Sequence, residues 1–172
     1  MDKLERLGRL RKLVEIAGGE IEGRKKLHKL AYLCQQVGTD LGQSFMFYMY
    51  GVYSPSLAQD VEAAVEWNLI VERPSGEGHV ISCGPENLEP ADSDLRTTEA
   101  GFEVVKNLAN QSPAMLEVVS TIVYLRDAGY CGADLEKKLS ELKGHLSVLF
   151  PQATELAKTY FNVDVDGAAV KR

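Results

Sequence analysis

The stretch 45–83, FMFYMYGVYSPSLAQDVEAAVEWNLIVERPSGEGHVISC, decides the fold of this chain. It opens with six aromatic or methionine residues, Phe45 to Tyr50, closed by Gly51, a composition that favours a strand over a helix. Ser54-Pro55 follows, a hydroxyl N-cap and then proline at the first helical position, which together start a helix. That helix carries Leu57, Val61, Ala64 and Val65 inward and ends near Asn68. Leu69–Arg73 and His79–Cys83 then flank Pro74-Ser75-Gly76-Glu77-Gly78, and two short extended runs around a turn-rich loop read as a β-hairpin. A strand, a helix and a two-stranded wing in that order are parts of a winged helix, here with one helix rather than two between strand and wing.

Helices flank this centre. Leu4, Leu7, Leu10, Val14 and Ala17 recur at spacings of three and four, which predicts a first helix from about Asp2 to Ala17, stopped by Gly18-Gly19. A second runs from about Arg24 to Gly38 with Leu27, Leu30, Ala31, Cys34 and Val37 inward. After the acidic, proline-bearing loop 84–94, a threonine cap and an early Glu99 restart a helix that buries Phe102, Val105 and Leu108. Pro113 opens the next, with Met115, Val118, Ile122 and Leu125 inward. Leu135, Leu139, Leu142 and Leu146 mark another over 132–146, and a last one runs from Pro151 to about Phe161. The expected class is mainly α (α+β), a winged-helix-like core with a small wing and appended C-terminal helices. The expected division is a winged-helix-like domain over 1–110, a helical extension over 111–163 and a flexible tail over 164–172.

Bulk composition narrows the function classes. The chain has 172 residues, 45% of them apolar, enough for a core and too many for disorder as a default. No apolar run has the length of a membrane span, and the N-terminus lacks the form of a signal peptide, so the cytoplasm is the expected location. Cys34, Cys83 and Cys131 are odd in number and far apart, which indicates neither a disulfide framework nor a metal knuckle. The net charge is −6 but uneven: residues 1–30 hold nine Lys/Arg against five acids, and 31–72 hold no Lys or Arg.

Three consecutive segments resemble a known family. GRKKLHKLAYLCQQ (23–36), followed by FYMYGVYSPSL (47–57) and WNLI (67–70), resembles the YwgA-type uncharacterised proteins and, more distantly, the Panacea antitoxin domain. Both combine a KLQKLxYL-like helix, an aromatic strand ending in YGP(Y/V)S and a helix ending in GLI. Here His28, Val52 and Asn68 stand where Gln, Pro and Gly are usual, and Leu95-x-Thr97-x-x-x-Gly101 is similar to the LTxxG that often follows a wing. The resemblance implies a small regulatory or antitoxin-like protein and supplies no catalytic site.

The residues themselves point away from catalysis. Gly18 to Gly23 meets the G-x4-G spacing of a phosphate loop, but Arg24-Lys25 replaces the Lys-Ser/Thr that would grip phosphate and magnesium, and the segment follows an amphipathic helix rather than a buried strand. His28, His79 and His145 reach no ligand spacing, and two residues such as His79 and Cys83 are not a metal site. No nucleophile elbow is present. No cofactor is expected.

Two surfaces remain. The helix in the groove-reading position carries Asp60, Glu62 and Glu66 and no cation, so duplex phosphates repel it. Tyr48, Tyr50 and Tyr53 stand just before it, and alternation puts Phe45, Phe47 and Met49 on one strand face and Met46, Tyr48 and Tyr50 on the other. The tyrosine face is either an exposed interface or a surface covered by the C-terminal helices; sequence leaves both open. The leading expectation is a non-enzymatic interaction protein, antitoxin-like, that binds a basic protein partner through Tyr48, Tyr50, Tyr53, Asp60, Glu62 and Glu66. The alternative is a DNA-binding regulator that uses Arg24, Lys25, Lys26 and Lys29 at the start of the second helix, where backbone N–H groups also favour anions. Homodimerisation through the leucine-bearing C-terminal helices is a further reading.

Overall fold

The computed structural model describes residues 1–88 and 98–165. Part of the acidic loop 84–94, Leu95 and Thr97 of the resemblance, and the tail beyond Val165 lie outside the described residues.

Helix α1 (Lys3–Ile16) starts at Asp2, whose carboxylate accepts the Glu5 N–H, and it buries Leu7, Leu10, Leu13 and Val14. Gly18 and Gly19, both at positive φ, turn the chain into β1 (Glu20–Ile21). Helix α2 (Gly23–Gln36) then runs through the middle of the molecule. It buries Leu27, Leu30, Ala31, Leu33 and Cys34, and also the polar side chains of Lys26, His28 and Lys29, because neighbours pack on most of its circumference. Burial raises the Cys34 thiol pKa, so it stays protonated and packs as an apolar side chain.

Strands β2 (Met46–Tyr48) and β3 (Gly51–Tyr53) form a hairpin between α2 and helix α3 (Pro55–Glu66). The wing is β4 (Ile70–Ser75) paired antiparallel with β5 (Gly78–Cys83), turning through Gly76 and Glu77. Glu20 pairs with Ser82 and Ile21 with Ile81, so the sheet order is β1-β5-β4. The order α1-β1-α2-α3-β4-β5 with that sheet is the winged-helix arrangement. It corrects the sequence reading in two respects. The strand that completes the wing sheet is the two-residue β1, hidden in the glycine-rich stop, and not the aromatic segment. Two helices therefore precede the wing, separated by residues 37–54 instead of a tight turn.

At the wing root, Gly84 donates its N–H to Leu69 and Glu86 donates to Asn68. A Cβ on Gly84 would stand 2.0 Å from the Asn68 carbonyl oxygen, so no side chain fits there.

Helices α4 (Glu99–Ala109), α5 (Pro113–Asp127), α6 (Gly132–Lys143) and α7 (Phe150–Phe161) follow, with a 3-10 segment over Gly144–Leu149 where the leucine spacing predicts continuous helix to 146. Helix α5 is buried on most sides and packs on α2, β3, α6 and α7. Mainly α with a small antiparallel sheet is the class expected from sequence.

One polar network ties α1, α2 and α3 together. Asp60 on α3 is 2% exposed. Its carboxylate accepts from Arg6 Nε at 2.8 Å and Nη2 at 3.2 Å, and from Gln43 Nε2 at 2.7 Å. Gln43 also exchanges two hydrogen bonds with Gln35 on α2, and its Oε1 accepts from Ser56. Sequence reasoning assigned Asp60 to a partner surface. The fold encloses it instead, because Arg6 and Gln43 supply the donors that a buried carboxylate requires. Asp60→Asn should cost about 2–3 kcal/mol, below the ~3–5 of a fully enclosed pair because Arg6 keeps some solvent. Urea unfolding at neutral pH measures this, and a loss below about 0.5 kcal/mol would contradict the role.

Candidate functional site

The aromatic hairpin is the most exposed apolar feature among the described residues. Met46 faces Tyr53, Phe47 faces Val52 and Tyr48 faces Gly51, with Met49 and Tyr50 at the turn. Gly51, at φ +93°, supplies the left-handed residue that closes so short a connection. Period-two alternation sorts the faces. Val52 is fully buried, and Phe47 packs on Tyr124 of α5 with ring centroids 5.1 Å apart and rings tilted by 38°. Tyr32 of α2 meets Phe45 at 5.4 Å and Tyr124 at 6.4 Å. On the other face Tyr48 is 60% exposed, and at the turn Met49 is 74% and Tyr50 56% exposed. Of the two readings left open, the exposed one describes Tyr48 and Tyr50: α5 covers the phenylalanine face and leaves the tyrosine face to solvent. Met46 is exposed beside them, and Trp67 is exposed at the far end of α3.

Polar groups hold the hairpin from beneath. Lys29 Nζ donates to the Val52 carbonyl at 3.4 Å, and Lys143 of α6 pairs with Glu117 of α5. Lys143 Nζ lies 5.9 Å from the Phe47 ring centroid. Burial lowers the Lys29 pKa to about 8, with Lys143 and Lys25 adding repulsion and Glu117 opposing it.

Tyr53 behaves differently from the other two tyrosines. It is half-buried and stacks on His28, centroids 4.6 Å apart and rings 18° from parallel. His28 Nδ1 accepts the Ser54 N–H at 3.1 Å, and Ser54 Oγ caps α3 by accepting from the Leu57 N–H. The exit of the hairpin and the start of α3 are therefore set by one histidine on α2.

The cationic candidates separate in the same way. Arg24 grips Glu72 of β4 through Nε at 2.7 Å and Nη2 at 2.8 Å, with Glu62 3.6 Å away. The paired guanidinium holds the Glu72 carboxyl below the usual carboxylate range. Lys26 and Lys29 are buried, which corrects their assignment to an open basic surface; Lys26 reaches Glu22 at 3.7 Å. Lys25 stays exposed, with its ammonium 4.0 Å over the Tyr50 ring. On α1, Arg9 pairs with Glu5 and Asp40, and Arg11 and Lys12 pair with Glu15. The excess positive charge of residues 1–30 is thus largely matched within the fold. Glu62 and Glu66 remain at the surface of α3.

Arg24, Lys25, His28, Lys29, Tyr48, Tyr50, Tyr53 and Glu62 come together around one groove of about 540 Å³, with Gly51 and Ala58. Members of the two residue sets assigned from sequence to rival functions thus share one concavity, while Asp60, Glu66 and Lys26 do not line it. Lys143 and Glu117, which support it, carry no signal in sequence; they read as ordinary charges on amphipathic helices. No group of three or more His, Cys, Asp or Glu among the described residues could hold a metal ion. No helix among them is long and apolar enough to cross a membrane.

No family model matches the chain. It is similar to the uncharacterised protein YwgA of Bacillus subtilis (strain 168), 29% identical over 113 residues that cover 62% of this chain. The chain spans 66% of that relative's length, just under two thirds. The resemblance to YwgA-type proteins read from the sequence has a counterpart in this match; the likeness to the Panacea domain has none.

Burial, reinforced by Lys29 and Arg24, lowers the His28 pKa to about 4. The folded chain therefore keeps His28 neutral where the unfolded chain protonates it, and the stability it contributes is present above about pH 6.5 and lost toward pH 4. Urea unfolding of the wild type and His28→Gln should show their stability difference shrinking by about 3 kcal/mol between pH 7 and pH 4. A pH-independent difference would mean that His28 is not held neutral.

Proposed function

We propose that this chain is a non-enzymatic interaction protein that engages a protein partner through the tip of the aromatic hairpin. The observation that carries this reading is the cluster of Met46, Tyr48, Met49 and Tyr50, exposed together on a hairpin whose other face is anchored in the core. Tyrosines held on a rigid support lose little entropy on docking and are typical anchors of interfaces, and methionine adapts to an irregular partner. The charge expected of the partner changes from that read in the sequence. Asp60 is enclosed and Glu62 lies beside Arg24, while Lys25 adjoins the tyrosines with no carboxylate partner among the described residues. The hairpin therefore suits an apolar segment carrying acidic groups rather than a basic one. An antitoxin-like role in the cytoplasm, with a toxin of the same cell as partner, fits this surface and is what the resemblance to the Panacea domain implies.

The test replaces only exposed side chains. A Tyr48→Ser/Met49→Ser/Tyr50→Ser variant should keep the wild-type melting temperature. A protein captured by the wild type, identified, purified and titrated against both forms, should bind the variant at least about tenfold more weakly. Equal affinity for both forms would remove the hairpin from the interface.

The winged-helix arrangement favours a second reading, duplex DNA binding. The exposed charges of α3 are Glu62 and Glu66, and Arg24 is engaged by Glu72. Few cations remain to neutralise phosphate, the source of most non-specific affinity. Gel-shift titration at low salt should show no duplex binding; a retarded complex weakened by Arg24→Ala/Lys25→Ala would favour the DNA reading instead.

A further inference from the structure

We propose that the groove between α2, the hairpin and α3 is a binding site for a nucleoside phosphate, a small molecule that joins a planar ring to an anion. The site shares Tyr48, Tyr50 and Lys25 with the partner surface, but its ligand is a small molecule and its test reads nucleotide affinity, so the two readings fail separately.

Charge is the first argument. The groove is lined by Arg24, Lys25 and Lys29 against one carboxylate, Glu62; Arg24 is already held by Glu72, so the two lysines carry the local positive excess, in a chain whose net charge is −6. Such a local reversal concentrates anions at one place on an otherwise anionic molecule. The first turn of α2 adds to it: Glu22 makes no side-chain hydrogen bond to cap the helix, and Arg24 and Lys25 of that turn line the groove.

A second observation points to a ligand independently. His28 is 4% exposed, and its Nδ1 accepts the Ser54 N–H, so its proton sits on Nε2. That Nε2–H has no partner among the described residues, and it is not sealed off as the unpartnered Arg9 Nε is. A nearly buried donor that lines a cationic groove without an acceptor is a group for which an incoming oxygen would provide the missing bond. Lys29, equally buried, has only the long contact to the Val52 carbonyl besides its neighbouring charges.

Aromatic walls select the rest of the ligand. Tyr48, Tyr50 and Tyr53 line the same space, Tyr48 and Tyr53 with centroids 6.2 Å apart and rings tilted by 38°. Rings so placed offer a stacking surface for a planar heterocycle, as tyrosines do for nucleobases elsewhere. Glu62 on the α3 wall offers acceptors to sugar hydroxyls or ring amino groups. The volume of about 540 Å³ lies within the range of small-molecule sites.

Calorimetric titration of the full chain with the adenosine and guanosine mono-, di- and triphosphates tests the assignment, with inorganic phosphate and the two nucleosides as halves. The expected result is one-to-one saturation by at least one nucleoside phosphate, about tenfold or more tighter than by either half. Amide NMR shifts should concentrate in residues 24–29 and 48–53. Lys25→Glu and Tyr50→Ala, both at exposed positions, should each weaken binding about tenfold at an unchanged melting temperature. Three results would overturn the proposal: no saturation by any nucleotide at millimolar concentration, inorganic phosphate binding as tightly as the nucleotide, or wild-type affinity in the folded Lys25→Glu/Tyr50→Ala double variant.

Discussion

The buried Asp60 carboxylate is the constraint around which α1, α2, the hairpin and α3 are organised. A carboxylate removed from water must have its oxygens satisfied by donors, or it destabilises the fold by several kcal/mol. Arg6 brings α1 to it, and Gln43 brings the segment that follows α2. Because Gln43 is also paired with Gln35 and receives the Ser56 hydroxyl, the same network sets where the hairpin leaves α2 and where α3 begins. Ser54 and His28 continue it to Tyr53. Apolar packing supplies most of the driving force for folding, but packing is not directional. These hydrogen bonds decide which way the hairpin faces.

Helices were legible from sequence because their signals are local. Ser54-Pro55, Ser112-Pro113 and the leucine and valine spacings need no knowledge of distant residues, and each helix lies within a few residues of its expected span. The wing was legible for the same reason. Strand β1 was not: Glu20 and Ile21 carry no strand pattern and become a strand only because β5 offers its edge. The aromatic segment was read as one strand, whereas Gly51 folds its continuation back upon it. Site residues divide similarly. Alternation groups Tyr48 and Tyr50 on one face but leaves open whether that face is exposed; the structure places both in solvent. Asp60 and Lys29 were misplaced because a charge in a sequence reads as solvated until its partners are known, and theirs lie on other elements; Lys26 is buried by the elements packed around α2 although its carboxylate partner, Glu22, stands at the N-terminus of its own helix.

Winged-helix topology and nucleic-acid chemistry are separable. The arrangement of α1, α2, α3 and the three-stranded sheet is a packing solution that says nothing about ligand. Duplex binding would require cations left free on α3 and the wing. Here Arg73 on the wing meets Glu20, Arg24 meets Glu72 across the α2–β4 junction, and α3 presents glutamates. These two arginines serve the fold's own carboxylates. Exposed tyrosine and methionine side chains cluster at the hairpin inserted between the two helices.

Two of the four residues that make up the hairpin's exposed patch are methionines, Met46 and Met49. A thioether in contact with solvent is open to peroxide, which converts it to a polar, chiral sulfoxide that a methionine sulfoxide reductase can restore. Oxidative stress would therefore change the wettability of this patch while the oxidisable Met115 and Cys34 of the core stay enclosed, so the molecule would keep its shape as the polarity of its hairpin tip followed the redox history of its surroundings.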